Sequence, residues 1–82
     1  MVKIGIIGGS GLYNVKELEE AADVEVSTPY GNTSSSLRIG KIQGIQVAFI
    51  ARHGRDHTIP PAQVNYRANI DALKKIGCTH IL

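Results

Sequence analysis

Tryptophan is absent from this 82-residue chain, and phenylalanine, cysteine and proline are scarce at one, one and three residues. A lone Cys78 excludes an intramolecular disulfide and with it the small stapled scaffolds; it fits a reducing compartment. No apolar run approaches the ~20 residues a membrane-spanning helix needs. The opening Met1-Val2-Lys3-Ile4-Gly5 reaches glycine too soon for the apolar region of a signal peptide. A soluble, cytoplasmic protein without membrane attachment is therefore expected. Charge of one sign is also scarce. Nine basic and seven acidic residues are well mixed, for a net charge of +2. That lacks the basic stripe of a nucleic-acid binder, so no nucleic-acid partner is expected. What is present is a globular composition, 43% hydrophobic, too apolar for disorder. The length allows at most one small domain over residues 1–82, with a thin core that buries roughly 60–65% of the unfolded surface.

Patterning points to an α/β fold. Lys3 to Ile7 is a short apolar run stopped by glycines, read as a buried strand. Val15 to Ala22 reads as a short helix capped by Asn14, with Glu17, Glu19 and Glu20 near its start. Asp23 to Thr28 alternates as a half-buried strand does, and residues 28–35 are turn-rich. Leu37 to Ile42 and Ile45 to Ala51 flank Gln43-Gly44, which predicts a tight β-hairpin. Pro60-Pro61 pre-sets a helix start, with Pro61 near the first helical position. That helix runs to about Ile76, with Tyr66, Ile70 and Leu73, broadened by Ala72 and Ile76, on its apolar face. Lys74 and Lys75 suit its C-terminal dipole, and Gly77 its left-handed cap. Thr79 to Leu82 begins another strand. A helix followed by a strand is half of a parallel crossover, so the chain reads as the opening of a larger, truncated α/β domain. A longer parent polypeptide, or other copies, is expected to complete the burial of Tyr66, Ile70, Leu73 and that last strand. Alone, the chain should expose apolar surface and have low stability.

Three segments carry chemistry. Arg52-His53-Gly54-Arg55-Asp56-His57 puts two guanidiniums and two imidazoles into six residues directly after a buried strand. Such a cluster suits an anion, with Arg52 offering a two-pronged fork and His53 a further donor. A solvated loop is the plain alternative. A His53/His57 metal pair is disfavoured by the flanking arginines, so no metal is expected. Gly8-Gly9-Ser10-Gly11 exposes consecutive backbone amides beside the Ser10 hydroxyl, a nest able to cradle an oxyanion. It is also compatible with a turn that needs glycine for backbone reasons alone, or with a dinucleotide-binding turn. For the last, Gly9-x-Gly11 is followed by Asn14 where a third glycine belongs, although Glu25 could serve as a ribose acid. Asn65 and Asn69 lie one helical turn apart, and asparagine lowers helix propensity. They are expected to hydrogen-bond loop backbone, holding the charged loop over the helix start, in preference to touching a ligand. Cys78 reads as a small core residue.

Taken in order and spacing, Ile4-Gly5-Ile6-Ile7-Gly8-Gly9-Ser10-Gly11-Leu12, Thr28-Pro29-Tyr30-Gly31, Arg52 to His57, and Val64-Asn65-Tyr66-Arg67-Ala68-Asn69-Ile70 resemble the 5′-methylthioadenosine phosphorylase family of the purine nucleoside phosphorylase superfamily. The resemblance covers the whole chain but only the N-terminal portion of a family member. It implies the opening part of a nucleoside phosphorylase-like mixed β-sheet flanked by helices. It also implies phosphorolysis of methylthioadenosine to adenine and 5-methylthioribose-1-phosphate, a pentosyl transfer. Phosphate is then a co-substrate, and no organic cofactor or metal is needed. By motif match, Ser10, Arg52 and His53 correspond to phosphate-binding residues and His57 lies on the ribose side. A homo-oligomer, trimer or hexamer, is implied as well.

In that family a second phosphate loop, ribose contacts and a purine-facing carboxylate follow the strand that starts at Thr79. Catalytic residues are thus unassigned here, and an isolated 82-residue polypeptide is expected to be inactive. Three other readings stay open. The chain could serve a phosphorylase for another purine nucleoside, a non-catalytic phosphate-binding or assembly module, or a nicotinamide-dependent enzyme.

Overall fold

The computed structural model describes residues 2–8, 16–52, 59–60 and 63–82. In chain order the elements are β1 (Lys3–Gly8), β2 (Glu19–Val24), β3 (Leu37–Ile42), β4 (Ile45–Ala51), the helix α1 (Tyr66–Lys75) and β5 (His80–Ile81). The strands form one sheet in the order β2-β3-β4-β1-β5. β2, β3 and β4 are antiparallel neighbours, whereas β1 lies between β4 and β5 and runs parallel to both. This is the mixed sheet that the sequence leads one to expect.

The β3–β4 hairpin closes through Gln43 (φ 50°) and Gly44 (φ 81°). Two successive positive φ angles make the mirror-image turn whose twist matches that of the flanking strands. β4 is buried on both faces, and its alternation separates two clusters. Ala48 and Ile50 pack with Leu37, Ala72 and Leu73, joined by Ile7, Ile39, Ile76 and Cys78. Val47, Phe49 and Ala51 face the other way, against Ile4, Ile6, Leu18 and Ile42.

The helix α1 covers the first of these faces. Asn65 is its N-cap, its side chain accepting from the Ala68 amide at 3.1 Å. At the other end Gly77 (φ 92°) takes the left-handed conformation. Its amide donates to Lys74 O (3.0 Å), and that of Cys78 to Leu73 O (3.0 Å), the paired bonds that close a helix C-terminus. Lys3 Nζ adds a bond to Ile76 O at 2.7 Å. The chain then enters β5, fastened to β1 by reciprocal bonds between Lys3 and Thr79.

Four sequence expectations are corrected. Residues 19–22 are strand, not helix, because the open edge of β3 supplies ladder partners and opposite charges across it. Arg38–Asp23 (3.0 Å) and Lys41–Glu20 (3.4 Å) pair between β2 and β3. A bulge between Glu19 and Ala22, with Glu20 at φ 55°, breaks the alternation that would have marked the strand. β2 consequently ends at Val24, and 25–27 carry no strand. The helix begins at Tyr66, after its Asn65 cap, and not near Pro61, which lies outside the described residues. Its buried stripe is Ala68, Asn69, Ala72 and Leu73, leaving Tyr66 (49%) and Ile70 (39%) exposed. Small residues on the inner face let α1 lie close to the sheet, which turns the larger ones outward.

Candidate functional site

Ligands of open α/β sheets gather outside the carboxyl ends of the parallel strands. Here β1 and β4 run in register from Lys3↔Gln46 to Gly8↔Ala51. One residue on, the Arg52 amide donates to Gly8 O at 2.8 Å. The segment leaving β1 after Gly8 and the segment leaving β4 at Arg52 therefore start on adjacent strands. Neighbouring strands lie about 4.8 Å apart. On the far side of β1, Leu82 N donates to Gly5 O (2.8 Å) and Ile7 N to Leu82 O (3.1 Å). Three strands thus deliver their C-terminal ends to one edge.

Arg52 is exposed at that edge. Ser10, His53 and His57 lie outside the described residues, as do most of the glycine turn and the rest of the charged loop. Gly8, directly before the turn, is the part of the glycine motif that the structure brings beside Arg52.

A second group of side chains reaches the same edge. Thr28 Oγ1 accepts from Tyr30 N (3.1 Å) and donates to Gly31 O (2.8 Å), folding the Thr28–Gly31 turn. Asn65 Nδ2 donates to Tyr30 O at 2.8 Å. Asn69 has no exposed surface, and its amide is used at both ends. Oδ1 accepts from Ser34 N (2.9 Å) and Nδ2 donates to Ser34 Oγ (3.0 Å). The next residue, Ser35, accepts from the Ala51 amide through Oγ (3.0 Å) and donates to Ser36 O (2.8 Å). The two asparagines do hold loop backbone, as their helix cost suggested, at Tyr30 and Ser34; residues 53–58 of the charged loop, which they were also expected to hold, lie outside the described residues. Sequence reasoning overlooked Thr33-Ser34-Ser35-Ser36, although four consecutive hydroxyls directly before a buried strand were a visible signal.

Burial raises the Cys78 thiol pKa above its ordinary 9.0, and nearby Lys3 partly opposes this. The thiol sits against the α1-facing core and not at the strand edge. Among the described residues no cluster of three His, Cys, Asp or Glu could hold a metal, and no helix is long and apolar enough to cross a membrane. A groove of about 280 Å³ runs along α1, lined among the described residues by Tyr30, Arg67, Ile70, Asp71 and Lys74.

Residues 3–82 match the family model of the phosphorylase superfamily. The S-methyl-5′-thioadenosine phosphorylase of Danio rerio is 57% identical over 81 residues, 99% of this chain and 29% of its own length. A Xanthomonas campestris protein named "Probable S-methyl-5′-thioinosine phosphorylase" is 48% identical over 81 residues, 99% of this chain and 32% of its own length. Among solved structures, a methylthioadenosine phosphorylase from an antarctic soil metagenomic library superposes with a TM-score of 0.91 at 46% identity, over 98% of this chain and 28% of its own. The chain thus spans less than a third of the length of these relatives. The mixed sheet, its parallel edge and the sequence matches agree: this chain belongs to the phosphorylase superfamily and corresponds there to the N-terminal portion of the methylthioadenosine phosphorylases.

Proposed function

We propose that residues 1–82 are the opening part of an enzyme that cleaves a methylthio-purine nucleoside with inorganic phosphate, and that they supply part of its phosphate site. Phosphate oxygen forms a bond to the anomeric carbon as the bond from that carbon to the base breaks. The bonding pair leaves with the base, which takes up a proton. Positive charge develops on the ribose, so an oriented anion on its far face stabilises the transition state. Arg52 binds two phosphate oxygens as a fork, Ser10 and the amides of the glycine turn bind from the side of β1, and His53 adds a donor. His57 faces the ribose. The observation that carries this reading is the side-by-side exit of the two anion-seeking segments, with Arg52 N bonded to Gly8 O at 2.8 Å. The relatives' names support a methylthio-nucleoside and leave the base open, since one carries thioadenosine and another thioinosine in its name. Base choice and leaving-group protonation fall to residues beyond this segment, so residues 1–82 alone turn over nothing. The enzyme works as a homo-oligomer in the cytoplasm, without metal or organic cofactor.

The test is Arg52→Ala in the full-length polypeptide that carries this segment. Charge-assisted hydrogen bonds contribute roughly 1.5–3 kcal/mol each. Catalytic efficiency towards phosphate should fall on the order of ten- to several-hundred-fold, with nucleoside binding little changed. Arg52→Lys should recover part of the loss, since it keeps the charge and not the fork. Steady-state kinetics varying phosphate at saturating methylthioadenosine decides. An unchanged phosphate dependence in Arg52→Ala removes the charged segment from the phosphate site.

A further inference from the structure

The β3–β4 ladder runs out to Arg38↔Phe49, yet β4 continues two residues further before Arg52. The Ala51 amide at its tip donates to a side chain, Ser35 Oγ, at 3.0 Å. That hydroxyl is oriented for the task. Its own proton goes to Ser36 O at 2.8 Å, which leaves an oxygen lone pair for the Ala51 amide. Ser35 is in turn fixed by its neighbours. Thr33 Oγ1 donates to Ser35 O (2.6 Å), and Ser34 is gripped through both its amide and its hydroxyl by the buried Asn69 of α1. A helix of ten residues spends an interior, fully buried position on asparagine, a residue that lowers helix propensity. What that position achieves is a polar strut from α1 through Ser34 and Ser35 to the last residue of β4. On its other side the strand tip is held by Arg52 N bonded to Gly8 O. The backbone that launches Arg52 is therefore clamped from both sides, once by β1 and once by the serine loop.

We infer that Ser35, braced by Ser34 and Asn69, is a positioning residue that fixes the direction in which Arg52 leaves β4. It rests on the assignment of Arg52 to phosphate under Proposed function. It adds that the serine loop acts on phosphate through the segment that Arg52 opens, chiefly through Arg52 itself. Without the Ser35 acceptor the Ala51 amide loses its partner, and the strand tip is held on one side only, by its ladder with β1. Small misplacements of a positioning group carry large kinetic penalties.

The full-length polypeptide tests this with Ser35→Ala and Ser35→Thr, each in the native and the Arg52→Ala background. Loss of one such bond corresponds to roughly a three- to ten-fold change. Ser35→Ala should raise the KM for phosphate by about that factor, with the KM for methylthioadenosine moved less than two-fold, and Ser35→Thr should restore it. In the Arg52→Ala background, Ser35→Ala should cost clearly less in phosphate, with what is left passing through His53. Ser34→Ala removes only the hydroxyl arm of the Asn69 grip and should show a weaker version of the same pattern. It serves if Ser35→Ala does not fold. An equal loss in both backgrounds overturns the inference while leaving Arg52 in the phosphate site. So does a lowered melting temperature with unchanged phosphate KM. A phosphate KM that is insensitive to Arg52→Ala overturns both.

Discussion

Gly5 lies in the middle of β1, between Ala48 of β4 and Ile81 of β5. A Cβ placed there would stand 2.9 Å from Leu73 Cδ1 and 3.1 Å from both Leu73 Cδ2 and Cys78 Sγ. Carbon atoms prefer about 3.5–4.0 Å, so the new methyl would be short against three atoms at once. Leu73 has no exposed surface and cannot swing outward. Overpacking of this kind costs about 1–3 kcal/mol. Replacing a strand glycine by alanine returns about 0.5–1 kcal/mol through the unfolded chain. Gly5→Ala should therefore destabilise by about 0.5–2 kcal/mol. Leu73→Ala alone should cost about 2–5 kcal/mol by leaving a cavity. The double variant should cost less than the sum by about 1 kcal/mol, because the added methyl occupies part of the space that Leu73 vacates. Urea unfolding of the full-length polypeptide, followed by circular dichroism, reads all three midpoints. A Gly5→Ala midpoint at or above the wild type, or strict additivity in the double variant, refutes the close approach of α1 to β1.

Three further outcomes follow from the same structure. Gln43 holds a positive φ that asparagine or glycine adopts more easily, so Gln43→Asn should stabilise by about 0.5–1 kcal/mol in the same urea assay. Asn65→Ala removes the cap bond to Ala68 N and the bond to Tyr30 O, and should cost about 1–2 kcal/mol, with faster amide exchange in the first turn of α1. Because burial raises the Cys78 pKa, the folded protein holds that proton more tightly than the unfolded chain does. Its contribution to stability is complete below the ordinary 9.0 and is lost as pH rises through the higher folded value. Cys78→Ala should flatten that alkaline decline in a pH-stability profile, and iodoacetamide should react with native Cys78 more slowly than with an unfolded thiol at pH 9.

Most of the sheet was legible where periodicity and turn chemistry agreed. The Lys3–Ile7 run, the Gln43-Gly44 hairpin, the Gly77 cap and the final strand each combined a pattern with a glycine where the chain turns. The failures share a cause in tertiary context. Glu19-Glu20-Ala21-Ala22 carries helix-forming residues, and only the waiting edge of β3, with Lys41 and Arg38 facing it, makes a strand of them. Tyr66 and Ile70 looked like core because they recur with Leu73 at helical spacing. The inner face of α1 instead takes two alanines, Leu73 and one asparagine whose partner, Ser34, lies 35 residues away in sequence. Of the candidate site, the neighbourhood of Arg52 and Gly8 followed from reading a glycine turn and a charged loop, each after a buried strand, as two sides of one anion site; that the two strands are parallel neighbours comes from the structure. The serine strut did not, because no local pattern links residue 35 to residue 51.

The place of β1 also bears on how the chain comes together in time. β3 and β4 meet across two residues, whereas the Lys3–Thr79 bonds on the other side of β1 span 76. At synthesis rates of 5–20 residues per second, β1 waits roughly 4–15 s for β5 to exist. A bare apolar strand held open that long is a template for pairing with other nascent chains. Two of its six residues are glycine and the first is lysine, in Lys3-Ile4-Gly5-Ile6-Ile7-Gly8. That composition lowers strand propensity and charges the strand end. The residue that makes room for Leu73 in the finished sheet is then also one that keeps β1 from pairing before its proper partners arrive.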